Sequence, residues 1–165
     1  MILTQETGRG EPDRDVVDAY DQLSSAARRL GDVIRNVLKD ELVRIGRRDI
    51  APAQAMIICR IGERAMTPSE MMREGLYAGT NITHNVNRLV EAKLLSRSIS
   101  DEDRRSVVLR LTPEGEALRL VLSRRLTVDC AARAAASGAS PGRMRDAAAD
   151  LGRICAALAG SVRHI

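Results

Sequence analysis

Asn81, Thr83, His84, Asn87 and Arg88 fall within one short polar segment, and Asp103, Arg104 and Arg105 crowd a second one soon after it. Side chains of these types can read nucleic acid. Asn pairs with an adenine edge, Arg with guanine, and Thr meets a thymine methyl or a phosphate. Such contacts need a rigid frame, and the flanking residues supply one. Thr67-Pro68-Ser69-Glu70 is a capping box, with Thr67 as N-cap, Pro68 in the first helical position and Glu70 reaching back. That helix is expected to run to about Glu74, with Gly75 to Gly79 as a turn. Thr80 then caps a second helix from Asn81 to about Ala92, whose inward face is Ile82, Val86, Leu89 and Val90. Two short helices around a glycine turn make a helix-turn-helix.

Leu94 to Ile99 and Val107 to Leu111 are β-compatible and flank a loop too charged to gain from burial. They predict a hairpin whose tip projects into solvent or against a phosphate backbone. A helix followed by an arginine-tipped hairpin is the order that places one element in a DNA major groove and the other beside it. The bland alternatives are a solvated helix face and a surface ion-pair cluster worth about 0 to 1 kcal/mol.

The elements around this device are helical. Val16, Tyr20, Leu23, Ala27, Leu30, Ile34, Val37, Leu38, Leu42 and Ile45 recur at three- and four-residue steps, predicting one long helix over about 14–46 with Gly31 as its soft spot. A helix of about 30 residues spans roughly 45 Å. A small domain cannot cover that length, so part of the stripe should meet another subunit. Pro52 to Gly62 suits a shorter helix carrying Met56, Ile57, Cys59 and Ile61. Thr112-Pro113-Glu114 starts another, which passes Leu118, Val121, Leu122, Leu126 and Val128 and ends near Ser137-Gly138. Ser140-Pro141 starts the last, with Met144, Ala148, Leu151, Ile154, Cys155 and Leu158 along it. Residues 1–13 are expected to form a loose tail. The predicted fold is mainly α with a small β-hairpin wing. A winged helix-turn-helix over about 52–112 sits inside a single domain of 14–165, with long arms at about 14–46 and 113–163.

Composition restricts the rest. The 165 residues are 44% hydrophobic, yet Phe and Trp are absent and Tyr20 and Tyr77 are the only aromatics. A core of Ala, Leu, Val and Ile suits close-packed helices. The 26 basic and 22 acidic residues leave a charge of +4, which permits nucleic-acid binding without establishing it. Cys59, Cys130 and Cys155 have neither disulfide nor zinc-knuckle spacing. No apolar run approaches the roughly 20 residues of a membrane span, and no secretion signal is visible. The expected location is the cytoplasm, with no membrane partner. No catalytic triad, glycine-rich phosphate loop or poised carboxylate pair stands out. His84 and His164 do not form a metal site with any neighbour in sequence. Neither an enzyme, a metal nor a cofactor is expected.

The motif Asp103-Arg104-Arg105, then 106–110, then Leu111-Thr112 resembles the wing signature of the MarR family of bacterial transcription regulators. Residues 80–95 are similar to that family's recognition helix and the strand after it, and the flanking helices correspond to its dimerisation region. The sequence departs from the family in having Lys93 where glycine is usual and Asn85 where an apolar residue is usual. Asn85 could bond within the motif or toward DNA.

The resemblance implies a homodimer on double-stranded DNA that acts most often as a repressor and binds a pseudo-palindromic operator. It implies that one wing arginine enters the minor groove, for which Arg105 is favoured with Arg104 on phosphate, while Asp103 braces the hairpin. Ser69, Thr80 and Arg97 join the DNA-binding set as cap or phosphate contacts. A small-molecule effector would release DNA, with Arg28, Val33, Met56 and Arg60 as candidate pocket residues. Two alternatives stand beside this. One is a regulator that senses oxidants through Cys59. The other is a ligand- or partner-binding helical protein that no longer reads DNA.

Overall fold

A computed structural model describes residues 11–62, 64–73, 82–99 and 107–162. They divide into two compact units, one ending at Ala53 and the other beginning at Gln54.

In the first unit α1 (Arg14–Arg44) runs unbroken through Gly31. Asp13 caps it, its carboxylate accepting from the Asp15 N–H at 3.1 Å. Leu38, Glu41 and Leu42 are buried near its C-terminal end, whereas Val16, Val17, Tyr20, Leu30 and Val33 are exposed. The buried Glu41 carboxylate accepts two bonds from Arg44. Beyond the helix, Arg47 grips both oxygens of Asp49 at 3.0 Å, which holds that carboxyl below its ordinary range.

The second unit takes in most of α2 (Pro52–Ile61) and then α3 (Pro68–Arg73), α4 (Ile82–Glu91), the strands β1 (Leu95–Ile99) and β2 (Val107–Leu111), α5 (Pro113–Arg124), α6 (Cys130–Ala136) and α7 (Pro141–Val162). Its core comprises Ile57, Ile58 and Ile61 of α2, Met66, Met71, Val86, Leu89, Leu94, Leu95, Leu109, Leu118 and Leu122. The strands pair antiparallel from Leu95 opposite Leu111 to Ile99 opposite Val107. Met66 adds a bridge on the other edge, exchanging both backbone bonds with Leu109. That bridge was not foreseen from the sequence. It ties the approach to α3 onto the hairpin.

A knot of backbone bonds joins the end of α4 to the start of α5. The Thr112 N–H donates to the Leu94 carbonyl at 3.1 Å, and the Thr112 hydroxyl donates to the Lys93 carbonyl at 2.6 Å. The same hydroxyl accepts from the Gly115 N–H at 3.1 Å, capping α5. Gly115 is buried against the chain it meets: a Cβ there would sit 2.1 Å from the Leu94 carbonyl oxygen. The Leu-Thr-Pro-x-Gly run therefore fastens the hairpin's base to the helix before it.

Among the described residues three helices end with the same pair of bonds, in which the second and third residues beyond the helix satisfy its last carbonyls. After α1, Gly46 and Arg47 donate to Val43 and Leu42; after α6, Gly138 and Ala139 donate to Ala135 and Ala134. After α4 the donors are Lys93 and Leu94, to Val90 and Leu89. The motif needs a left-handed residue, with φ of +78° at Gly46, +85° at Gly138 and +58° at Lys93. Lysine there bears a Cβ penalty that glycine does not, of order 1 to 2 kcal/mol. The backbone bond from Leu94 to Leu89, both fully buried, closes the motif despite it. Lys93→Gly should raise stability by about 0.5 to 1 kcal/mol, part of the gain being lost to the freer unfolded chain. A thermal melt should move up by about 1 to 4 °C. A lower midpoint would show that the lysine side chain contributes more than its backbone costs.

The run from Pro113 to Ala136 reads as one helix in the sequence, but Arg125–Asp129 forms a π-helical turn between α5 and α6. Thr127 turns its hydroxyl to the Ser123 carbonyl there, at 2.7 Å. Among the described side chains of α7 none is buried, and the best-covered apolar ones, Leu151 and Ile154, are half-buried.

Candidate nucleic-acid interface

The capping box forms as read. The Thr67 N–H donates to the Glu70 carboxylate at 2.7 Å and the Glu70 N–H to the Thr67 hydroxyl at 3.2 Å. Closing both ends of the box fixes where α3 begins, and Ser69 is exposed on its first turn.

On α4 the apolar and polar faces separate sharply. Val86 and Leu89 are buried and Ile82 and Val90 half-buried, while Thr83, His84, Asn87 and Arg88 are exposed. Thr83 with Asn87, and His84 with Arg88, are four apart and form two adjacent rows. Asn85 is buried at 8% exposure beside Val86, so it belongs to the interior of the motif and not to the surface rows. That settles the choice the sequence left open.

Arg88 and Asn87 are both held. Arg88 donates to the Glu91 carboxylate at 3.1 Å along the helix. Asn87 accepts through Oδ1 from the Arg97 guanidinium at 2.5 Å, so a strand residue reaches back to the helix. Arg97 shares its face of the hairpin with Leu109, its partner in register, which is buried. Arg97 was expected on a phosphate; in the free chain its guanidinium meets the helix. Arg110, exposed on the opposite face across from Ser96, was not singled out in the sequence. Thr80, Asn81, Asp103, Arg104 and Arg105 lie outside the described residues.

A family model described as a winged helix DNA-binding domain matches residues 51–115, which contain all of this geometry. The fold compares with that of a MarR variant from E. coli complexed with operator DNA (TM-score 0.62, 19% identity, covering 87% of this chain and 99% of that one). It also compares with S. aureus MepR in its DNA-binding conformation (TM-score 0.65, 17% identity, 82% and 97%). Residues 51–115 match a winged helix DNA-binding domain, in a fold shared with E. coli MarR and S. aureus MepR. In sequence it is similar to the exopolysaccharide II synthesis transcriptional activator ExpG of Rhizobium meliloti, 34% identical over 120 residues. Those residues are 70% of this chain and 62% of the relative, so the chain spans less than two thirds of that relative's length. The domain model is described by DNA binding, and the relative by transcriptional activation.

The remaining nominated residues lie on other elements. Arg28 and Val33 are exposed on α1, where Arg28 donates to the Ser25 hydroxyl at 3.0 Å. Met56 is half-buried and Arg60 exposed on α2. Cys59 is half-buried near Ser123 and Arg119 of α5. Burial pushes its thiol above the ordinary range, and the Ser123 hydroxyl and Arg119 charge oppose that only in part. A raised pKa leaves less thiolate at neutral pH, and the thiolate is the reactive form. At pH 7 the exposed Cys155 should alkylate with iodoacetamide at least about ten times faster than Cys59, as read by mass spectrometry of tryptic peptides. Faster labelling of Cys59 would revive the oxidant-sensing reading. Among the described residues no group of three His, Cys, Asp or Glu side chains could hold a metal ion, and no helix is long and apolar enough to cross a membrane.

Proposed function

We propose that this chain is a homodimeric, sequence-specific DNA-binding transcriptional regulator of the cytoplasm. The observation that carries the reading is the outward face of α4. Thr83, His84, Asn87 and Arg88 are exposed as adjacent rows on a helix whose other side is buried. Its frame is a closed capping box before it and a hairpin bolted to its end. Each subunit lays α4 in a major groove, and Arg104 and Arg105, which follow β1 in the sequence, take phosphate and the flanking minor groove, with Asp103 bracing them. Two-fold symmetry then calls for a pseudo-palindromic operator with half-sites about 10 base pairs apart, centre to centre. The exposed apolar residues of α1 and α7 favour a second copy as their cover. The effector part of the reading rests on the family resemblance, with Arg28, Val33, Met56 and Arg60 as its contacts.

The test is binding to duplex fragments from upstream of the chain's own gene as salt is raised. Each neutralised phosphate contributes about 0.9 to the slope of log affinity against log salt, so several arginine contacts make the fall steep. Absent or salt-insensitive binding on every fragment would favour a partner-binding protein that has lost DNA readout. Repression is the sign the resemblance implies. A promoter fusion reads it directly, and activation would match the name of the Rhizobium relative instead.

A further inference from the structure

Asn87 and Arg97 stand apart in sequence, one on the reading helix and one on the strand after it, yet they share a 2.5 Å hydrogen bond. A guanidinium can only donate, so the atom of Asn87 that faces it must be the amide oxygen. The orientation of the amide is thereby set before any DNA arrives. An asparagine that reads adenine needs that oxygen to accept from the adenine N6 amino group while its nitrogen donates to N7. With a cation already donating to the oxygen, a second donor would have to crowd in beside a positive charge. The amide nitrogen keeps both of its N–H groups for acceptors. In the major groove those are N7 and O6 of guanine, O4 of thymine and N7 of adenine, but adenine sets its N6 amino donor beside N7 where guanine sets a second acceptor, so a donor-only amide favours guanine or thymine.

We propose that Arg97 is a specificity-setting positioning residue: by holding the Asn87 oxygen it turns Asn87 from an adenine reader into a donor that selects guanine or thymine. The proposal rests on the DNA-binding function argued above. Arg97 is well placed for the role because its strand neighbour across the ladder, Leu109, is buried and doubly bonded to Met66, which fixes the backbone beneath it. Arg97 and Asn87 are both exposed, so replacing either disturbs no core.

The full-length chain is used to enrich duplexes from a library with a randomised central segment, alongside Asn87→Ala and Arg97→Met. Binding is then measured on individual duplexes that differ at one base pair in each half-site. The wild-type chain should prefer guanine or thymine at one symmetric pair of positions, and Asn87→Ala should lose discrimination at those positions alone. Arg97→Met, which keeps an apolar stem but no donor, should shift the preference there toward adenine, changing the adenine-to-guanine or adenine-to-thymine affinity ratio by about tenfold. An unchanged base preference with uniformly weaker binding and a salt slope lower by about 1 would make Arg97 a phosphate contact and overturn the proposal. So would an Asn87→Ala variant that discriminates as well as the wild type. Failure of the wild-type chain to enrich any sequence would instead overturn the DNA-binding function beneath it.

Discussion

Gly115→Ala should destabilise the second unit by about 3 kcal/mol or more, although alanine is the better helix former. Propensity alone would favour the change by about 0.5 to 1 kcal/mol. Against it stands a Cβ placed 2.1 Å from the Leu94 carbonyl oxygen and 3.0 Å from its carbonyl carbon, both backbone atoms that cannot rotate aside. Relief requires α5 to move off the end of α4. That strains the Thr112 bonds to Lys93 and Leu94, each worth about 1 kcal/mol, on top of an overpacking cost of about 1 to 3 kcal/mol. At about 2 to 4 °C per kcal/mol, the midpoint of thermal unfolding should fall by roughly 6 to 12 °C. Gly142→Ala and Gly152→Ala serve as controls, since both glycines lie in α7 with nothing near an added Cβ, and they should leave the midpoint level or slightly higher. A Gly115→Ala midpoint as high as theirs would show that the knot between α4 and α5 yields without cost. Because that knot sets the angle between reading helix and hairpin, DNA affinity should fall even at temperatures where the variant is folded.

The same site shows what the sequence could and could not announce. The helices were legible because their signals are local. Thr67 and Glu70 lie three apart and cap α3 as expected, Thr112 and Pro113 start α5, and the alternation of Val86 and Leu89 with Thr83 and Asn87 sorts the faces of α4. The reason for Gly115 is the Leu94 carbonyl, which lies on the far side of the hairpin along the chain. No spacing rule encodes that. Arg97 and Asn87 were each nominated for DNA, and their bond to one another was invisible for the same cause. Lys93 stood out only by resemblance, as a residue in glycine's place; the structure shows the left-handed turn that makes glycine usual there. The π-helical turn at Arg125–Asp129 left no mark, because one extra residue per turn costs little and the apolar steps around it still fit an ordinary helix.

Placing Glu at both Met144 and Leu158 should turn the proposed dimer into a monomer while leaving the fold of the single chain intact. The two side chains are 39% and 47% exposed on α7, so within one chain a charge there stays in water and changes stability by no more than about 0.5 kcal/mol. A helix of 22 residues with no buried residue among its described side chains is marginal unless something covers its apolar side. Met144, Leu151 and Leu158 lie seven apart on one stripe, which is the pattern of a helix that packs against another. If a second copy supplies that cover, symmetry puts four new carboxylates into one apolar contact, each costing about 1 to 3 kcal/mol to desolvate. Dissociation should weaken the dimer by at least about a thousandfold. In sedimentation equilibrium the wild type should therefore run at twice its 18.0 kDa chain mass and the variant near 18.0 kDa, with matching circular dichroism. Operator affinity should drop by about a hundredfold or more, because a lone subunit forgoes the second half-site and the high effective concentration that links the two. A variant that stays dimeric would move the interface off α7 and leave α1, with Val16, Tyr20 and Leu30 exposed, as the stripe to test. A wild-type chain that sediments as a monomer at every concentration would remove the two-fold operator from the proposal altogether.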